Sequence, residues 1–503
     1  MPRPYKYLKE ELLKKINRGE ILIGELIEPK CYIRIKFKKG KIIKEKVEIR
    51  GRKLPLEEIR RRMFEEHKSM GILRPMAEYD RFLLTWGDHT SMLSSGYFLY
   101  TVKVIYSDDI FYTDKEMREL FGKSINVQSK VEQPEIFIVG QCKDNTEEKL
   151  TYVKSRLDGM EEMAEPFKVG DALVKDVMRF FIGDHPELQF ESGNSQGGNY
   201  PCVCGCHSGK FGNTAYAFKN NFVKSLDERR TKLIEGPAGR QKNAINPYGK
   251  LKVKELEKEI FARDLVKKVK GKWLKDELDD VLKMDLAGLC RIPAVCFLNP
   301  SLSLERINLK HYEISLIEPL HDIKGHIKNM WELLPKHLSK DMEIFFQNEL
   351  ISILGEKDTY RGSDYRLSAL FMCWVMENHS SCPREIKELL YTLTEISRLA
   401  YLPAQKRSPR FILRAYNITY KHTLLCKQIF GSRPSLNKFY GTYYHSLSVH
   451  LPEVFRIIAP SSLFSESEER LFSQIRDINL KRFFRRFMVV AIPRTQEFKY
   501  INS

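Results

Sequence analysis

Cys202, Cys204 and Cys206 fall within five positions, and His207 follows at once. So tight a group of thiols suits zinc, which takes four nitrogen or sulfur ligands in a tetrahedron. His445 and His450, spaced His-x4-His, can supply the imidazoles. A two-cysteine, two-histidine site needs one more thiolate beside Cys202. Cys204 and Cys206 compete for that place, and His207 is a further candidate. A second chemistry belongs to carboxylates. Asp88 follows the run Arg81–Trp86, Asp184 closes the run from Val177, and Glu466 lies just downstream of the histidine pair. Carboxylates delivered by strand ends and a helix can hold two divalent ions roughly 3.5–4 Å apart, the arrangement that cuts and joins phosphodiesters. Glu468 and Glu469 stand close enough to compete with Glu466. Asp322, in the run Glu318-Pro319-Leu320-His321-Asp322, is an alternative second or auxiliary acid.

These groups need a scaffold to converge. Apolar runs at 81–86, 96–106, 135–140 and 177–182 read as strands, and 147–163 has helical spacing, which predicts a mixed α/β sheet. Asp88 and Asp184 then stand at or near strand ends, where a loop exposes what the strand holds. Residues 1–75 read as a basic accessory region. It has an amphipathic helix from Leu8 to Ile16 and a hairpin with one basic face, in which Ile33, Ile35 and Phe37 alternate with Arg34, Lys36 and Lys38. Residues 208–250 carry loop signals. Two amphipathic helices follow, one with Leu256 and Ile260 on a face, the other with Leu278, Val281 and Leu282. A basic link, Lys267–Lys272, joins them. This pair is similar to the SAP module, a small DNA-binding helical hairpin, and equally to a plain amphipathic hairpin. Helical spacing recurs at 341–354, 363–377, 384–401, 410–430 and 436–458, and Ser465–Phe472 opens a further helix.

Charge narrows the partner. The 503 residues carry 84 Lys+Arg against 66 Asp+Glu, a net +18, which favours a polyanion, with nucleic acid first. No apolar run reaches the roughly 18–20 residues of a membrane span. The N-terminus has no signal-peptide core, and the scattered cysteines are no disulfide framework. An intracellular, reducing compartment is expected.

In combination the segments resemble a family. Trp86-Gly87-Asp88 ahead of the apolar 96–106 run, and Arg179–Asp184 ahead of the cysteines, are similar to the two aspartate segments of Transib-type Asp-Asp-Glu transposases and the related catalytic subunit of the V(D)J recombinase. Tyr444-His445 through His450-Leu451-Pro452-Glu453-Val454 resembles that family's zinc histidines, and Ser465-Glu466-Ser467 through Leu471-Phe472 its glutamate segment. The resemblance covers about residues 80 to 475. It implies an RNase H-like mixed sheet with a large helical, zinc-containing insertion and a small N-terminal accessory region. It also implies two catalytic Mg2+ or Mn2+ ions on Asp88, Asp184 and Glu466, and a structural Zn2+ on cysteines from 202, 204 and 206 with His445 and His450. Double-stranded DNA handled by a homodimer in the nucleus is the implied setting. The domains expected are 1–75, a catalytic core at 76–207, a basic linker and SAP-like hairpin at 208–300, a helical insertion at 301–440, and the zinc-histidine and glutamate helices with the tail at 441–503. A host-adapted, catalytically inactive DNA-binding protein with the same zinc clamp is the alternative.

Overall fold

Alternation of large apolar side chains along 96–106 produces a long central strand, and a mixed sheet is assembled around it. A computed structural model describes residues 25–27, 31–38, 41–48, 51–92, 95–106, 110–142, 146–161, 165–194, 202–203, 251–286, 317–354, 362–431, 436 and 438–480. Two units are present, Met1–Phe180 with Glu466–Ser503, and Phe181–Ser465.

The strands are β1 (Glu25–Leu26), β2 (Cys31–Lys38), β3 (Lys41–Glu48), β4 (Gly51–Lys53), β5 (Glu78–Met92), β6 (Ser95–Tyr106), β7 (Glu135–Gln141), β8 (Phe167–Val169) and β9 (Ala172–Gly183). Seven of them form one sheet in the order β1-β4-β7-β6-β5-β9-β8, and β2-β3 is a separate ribbon. β7, β6 and β5 are antiparallel neighbours. The Leu173 N–H donates to the Ala77 carbonyl, and Lys175 and Asp176 pair with Glu78 and Arg81. These contacts align the starts of β5 and β9, so the two run in the same direction and the sheet is mixed. In the ribbon, Ile35 lies opposite Lys44 and Lys36 opposite Ile43. The expected helix from Leu8 to Ile16 lies outside the described residues.

The helices of this unit are α1 (Leu56–Ser69), α2 (Asp114–Phe121), α3 (Val127–Val131) and α4 (Thr146–Glu161). Successive side chains of a strand face opposite ways, so Phe98, Tyr100 and Tyr106 of β6 share one face. On it Tyr152 of α4 stacks on Phe98 at 6.2 Å, and the Arg156 guanidinium lies 4.8 Å from the Tyr100 ring centre. A Cβ at Gly140 would sit 2.2 Å from the Tyr152 ring, so glycine is what lets α4 approach β7. Beside them Arg60 and Arg81 both bind Asp176, at 2.8 and 2.7 Å. Burial opposes ionisation of that carboxyl, but the two guanidiniums outweigh it and hold Asp176 below the usual range.

The second unit is helical: α5 (His185–Glu191), α6 (Val253–Ala262), α7 (Lys275–Leu286), α8 (Pro319–Leu333), α9 (Lys340–Leu354), α10 (Gly362–Glu377), α11 (Arg384–Ala400), α12 (Pro409–Phe430), α13 (Thr442–His445) and α14 (Leu451–Ile457). α11 buries Ile386, Leu389, Leu390, Leu393 and Ile396, a stripe at helical spacing that packs against α10 and α12. α6 and α7 enclose a small core of their own from Leu256, Ile260, Leu265, Leu278, Val281 and Leu282. Their link exposes Lys267, Lys268, Lys270 and Lys272. No described helix is long and apolar enough to cross a membrane.

The chain then returns to the first unit as α15 (Glu466–Leu480). It covers the other face of the sheet, where Leu471 packs with Leu99, Ile136 and Val139, and the Phe472 ring meets Trp86 edge-on at 5.8 Å.

Candidate metal centre and the flanking acids

Cys202, His445 and His450 are buried in the second unit with their ligand atoms all within 4.8 Å of one another. Cys202 Sγ lies 3.2 Å from His450 Nε2, which lies 3.1 Å from His445 Nε2. Adjacent ligand atoms of a tetrahedral zinc site, with bonds of about 2.0 Å to nitrogen and 2.3 Å to sulfur, stand roughly 3.3–3.6 Å apart. The donor types and their spacing therefore fit such an ion. Burial pushes the His445 imidazole below its usual pKa, which keeps it in the neutral, ligating form.

Local structure explains how the histidines meet. Five residues on a regular α-helix at 100° each would turn His445 and His450 well apart. The continuous helix expected over 436–458 is instead interrupted by a π-helical segment, Ser446–His450, between α13 and α14. Bonding from i to i+5 widens the turn and brings His450 over His445. The segment is fastened from α8, where the buried Asp322 carboxyl accepts a hydrogen bond from Ser446 Oγ. Burial, opposed by that bond, pushes Asp322 well above the usual carboxylate range. On the cysteine side, Asn194 Nδ2 donates to the Cys202 carbonyl at 2.9 Å, holding the thiol's backbone. Cys204, Cys206 and His207 lie outside the described residues.

Each acid has its own surroundings. Asp184, half-buried, caps α5 by accepting the Glu187 N–H at 3.0 Å. The next ring, His185, packs against Tyr443 at 5.8 Å, and burial pushes its pKa down to about 4. Burial, then the charges of Asp322 and Asp184, raise the Tyr443 hydroxyl. Tyr443 reaches this place because Gly325 of α8 has no Cβ; one there would sit 2.3 Å from the ring. Asp322 is thus occupied by Ser446 and buried, a fastening for the histidine segment.

Asp88 stands half-buried on β5 and accepts the His89 N–H at 2.6 Å. It pairs across the hairpin with Leu99, which packs against Leu471 of α15, so Asp88 belongs to the sheet face that α15 covers. Glu466, half-buried, is the first residue of that helix. Of its competitors, Glu468 places Oε1 2.8 Å from Lys103 Nζ with both side chains buried, and Glu469 is exposed. One further acid was not singled out by sequence. Glu318 caps α8 with one carboxylate oxygen, 2.7 Å from both the N–H and Nδ1 of His321. Its other oxygen accepts the Ser465 N–H at 3.1 Å and the Ser465 hydroxyl at 3.3 Å.

Of the predicted residues, the structure brings Cys202, His445 and His450 together. Among the described residues they are the one group of three metal-ligating side chains with mutually close donor atoms. Asp88 and Glu466 belong to the first unit and Asp184 to the second. Lys103, Asn194, Glu318 and Tyr443 were missed. A signal existed for two of them: a lysine inside the apolar run Tyr100–Tyr106, and a glutamate just before a proline that opens a helix. No protein-family model matches the chain, and no curated protein matches it.

Proposed function

We propose that the protein is a DNA endonuclease and strand transferase of the transposase type, with an RNase H-like catalytic sheet and a zinc-stabilised helical region. The observation that carries this reading is the sheet. The starts of β5 and β9 are joined by the bond from Leu173 to Ala77, and Asp88 stands on β5 while Asp184 directly follows β9. Three antiparallel strands, a crossover helix and a parallel fourth strand support the RNase H-like assignment.

Asp88, Asp184 and Glu466 are the carboxylates to hold Mg2+ or Mn2+. Oxygen donors at half-exposed positions suit these hard cations. Ions held there would supply activation of the attacking hydroxyl and stabilisation of the leaving oxygen of a phosphodiester. The chain's own part is to present charged oxygens and to hold the DNA. Cys202, His445 and His450 hold zinc, which ties together segments far apart in sequence. The net charge of +18 and the exposed lysines between α6 and α7 favour the phosphate backbone of double-stranded DNA. Action as a dimer on paired DNA ends in the nucleus belongs to the same reading.

Nicking of supercoiled DNA in Mg2+ or Mn2+ tests it. Wild type is expected to nick and Asp184→Asn to be silent with DNA affinity unchanged. Asparagine caps helices as well as aspartate, so α5 is kept. Cleavage that survives Asp184→Asn overturns the assignment. Silence of both proteins with DNA binding intact would point to the catalytically inactive binder.

A further inference from the structure

Glu466 is bracketed by anchored neighbours. On one side, Ser465 gives both its backbone N–H and its hydroxyl to Glu318, a carboxylate only 2 % exposed. On the other, Glu468 meets Lys103 at 2.8 Å, with side chains 1 % and 2 % exposed. A buried charge without a partner is costly, so each of these contacts is under strong constraint.

The second anchor has a specific mechanical meaning. Glu468, Leu471 and Phe472 are three and four residues apart and line one side of α15. Leu471 and Phe472 hold that side to the sheet by apolar contact, which is non-directional and tolerates rotation and sliding. A charge-assisted bond is directional. Lys103 rises from the middle of β6, on the face shared with Leu99, so its ammonium supplies a fixed point for both the rotation and the height of α15. The same pairing occupies Glu468, while Glu466 lies half-buried and off that stripe.

We propose that Lys103 is a positioning residue for Glu466: through Glu468 it sets where this carboxylate is presented to a divalent cation without touching the ion itself. The inference rests on the reading that Glu466 binds the catalytic metal.

The test is direct Mn2+ binding to the full chain, followed by electron paramagnetic resonance, beside Mn2+-dependent nicking, DNA affinity and zinc content. Glu466→Gln provides the reference loss. Lys103→Met is expected to weaken Mn2+ binding about tenfold, as outer-shell changes around metals do, and to raise the Mn2+ needed for half-maximal nicking equally. DNA affinity and zinc content should not move. Should Lys103→Met fail to fold, Lys103→Met with Glu468→Met removes both buried charges. Weak Mn2+ binding in that double variant supports the proposal, and wild-type binding overturns it. If Glu466→Gln weakens Mn2+ binding while Lys103→Met leaves it unchanged, the anchor only stabilises the fold and the inference fails alone. If Mn2+ binding ignores Glu466→Gln, the metal assignment and the inference fall together. If Mn2+ binding follows every expectation but no DNA is cut, the positioning role stands and the cleavage reading fails.

Discussion

Two sets of candidate ligands in this protein are built in opposite ways. Cys202, His445 and His450 are buried with their donor atoms within 4.8 Å of one another, fastened by Asn194 and Asp322. Asp88, Asp184 and Glu466 are half-exposed, and the first two are held by local backbone bonds. The contrast follows from charge. Thiol and imidazole side chains carry no obligatory charge and can be packed together, so a structural site is legible as geometry. Ionised carboxylates repel and need water or cations nearby. Folding can therefore be expected to depend on the first set and chemistry on the second.

The largest effect should come from breaking the buried set. Structural zinc contributes roughly 10 kcal/mol or more to small zinc domains, so Cys202→Ala or a strong chelator should abolish bound zinc and melt the second unit. Metal analysis and circular dichroism check both. Next comes the buried charge cluster of the first unit. Asp176→Ala leaves Arg60 and Arg81 without their carboxylate and should cost about 3–5 kcal/mol, read by denaturant unfolding. By contrast Asp184→Asn and Glu466→Gln should change stability by less than about 0.5 kcal/mol while removing metal-dependent nicking. A large loss of stability in either would erase the distinction drawn above.

Acid should act on buried histidines in both units. Burial pushes His67 and His422 down to about 3, below the unfolded value near 6.5. As pH falls the unfolded chain binds these protons first. The stability they contribute is complete above about 6.5 and is lost progressively towards about 3. Melting temperature should fall across that window, and His67→Gln or His422→Gln should flatten the slope. The smallest effect is at the surface. Lys270→Ala and Lys272→Ala in the exposed link should weaken DNA binding and reduce its salt slope by about one unit each, with no change in melting temperature.

Much of the architecture was legible in the sequence. The strands β6 and β7, α4, and the helices α9 to α12 were expected within two residues of where they stand, because alternation and helical spacing are local signals; β5 and β9 run five or six residues beyond the expected 81–86 and 177–182, so Asp88 stands inside β5. The helix expected at 436–458 hid a π turn, since one added residue in a turn leaves the apolar pattern on either side intact. Lys103 and Glu318 escaped notice because their partners, Glu468 and Ser465, lie far along the chain.

By itself the sequence determined which segments are strands and helices, which donor types are available and that the whole is strongly basic. Only tertiary structure decided which donors meet. Cys202 and His450 are 248 residues apart, and a π turn, a buried aspartate and the packing of α8 bring them into contact. Lys103, one residue in an apolar strand, separates Glu466 from Glu468. Propensity acts over a few residues, whereas the cost of burying a charge is settled only by whatever the completed fold places beside it.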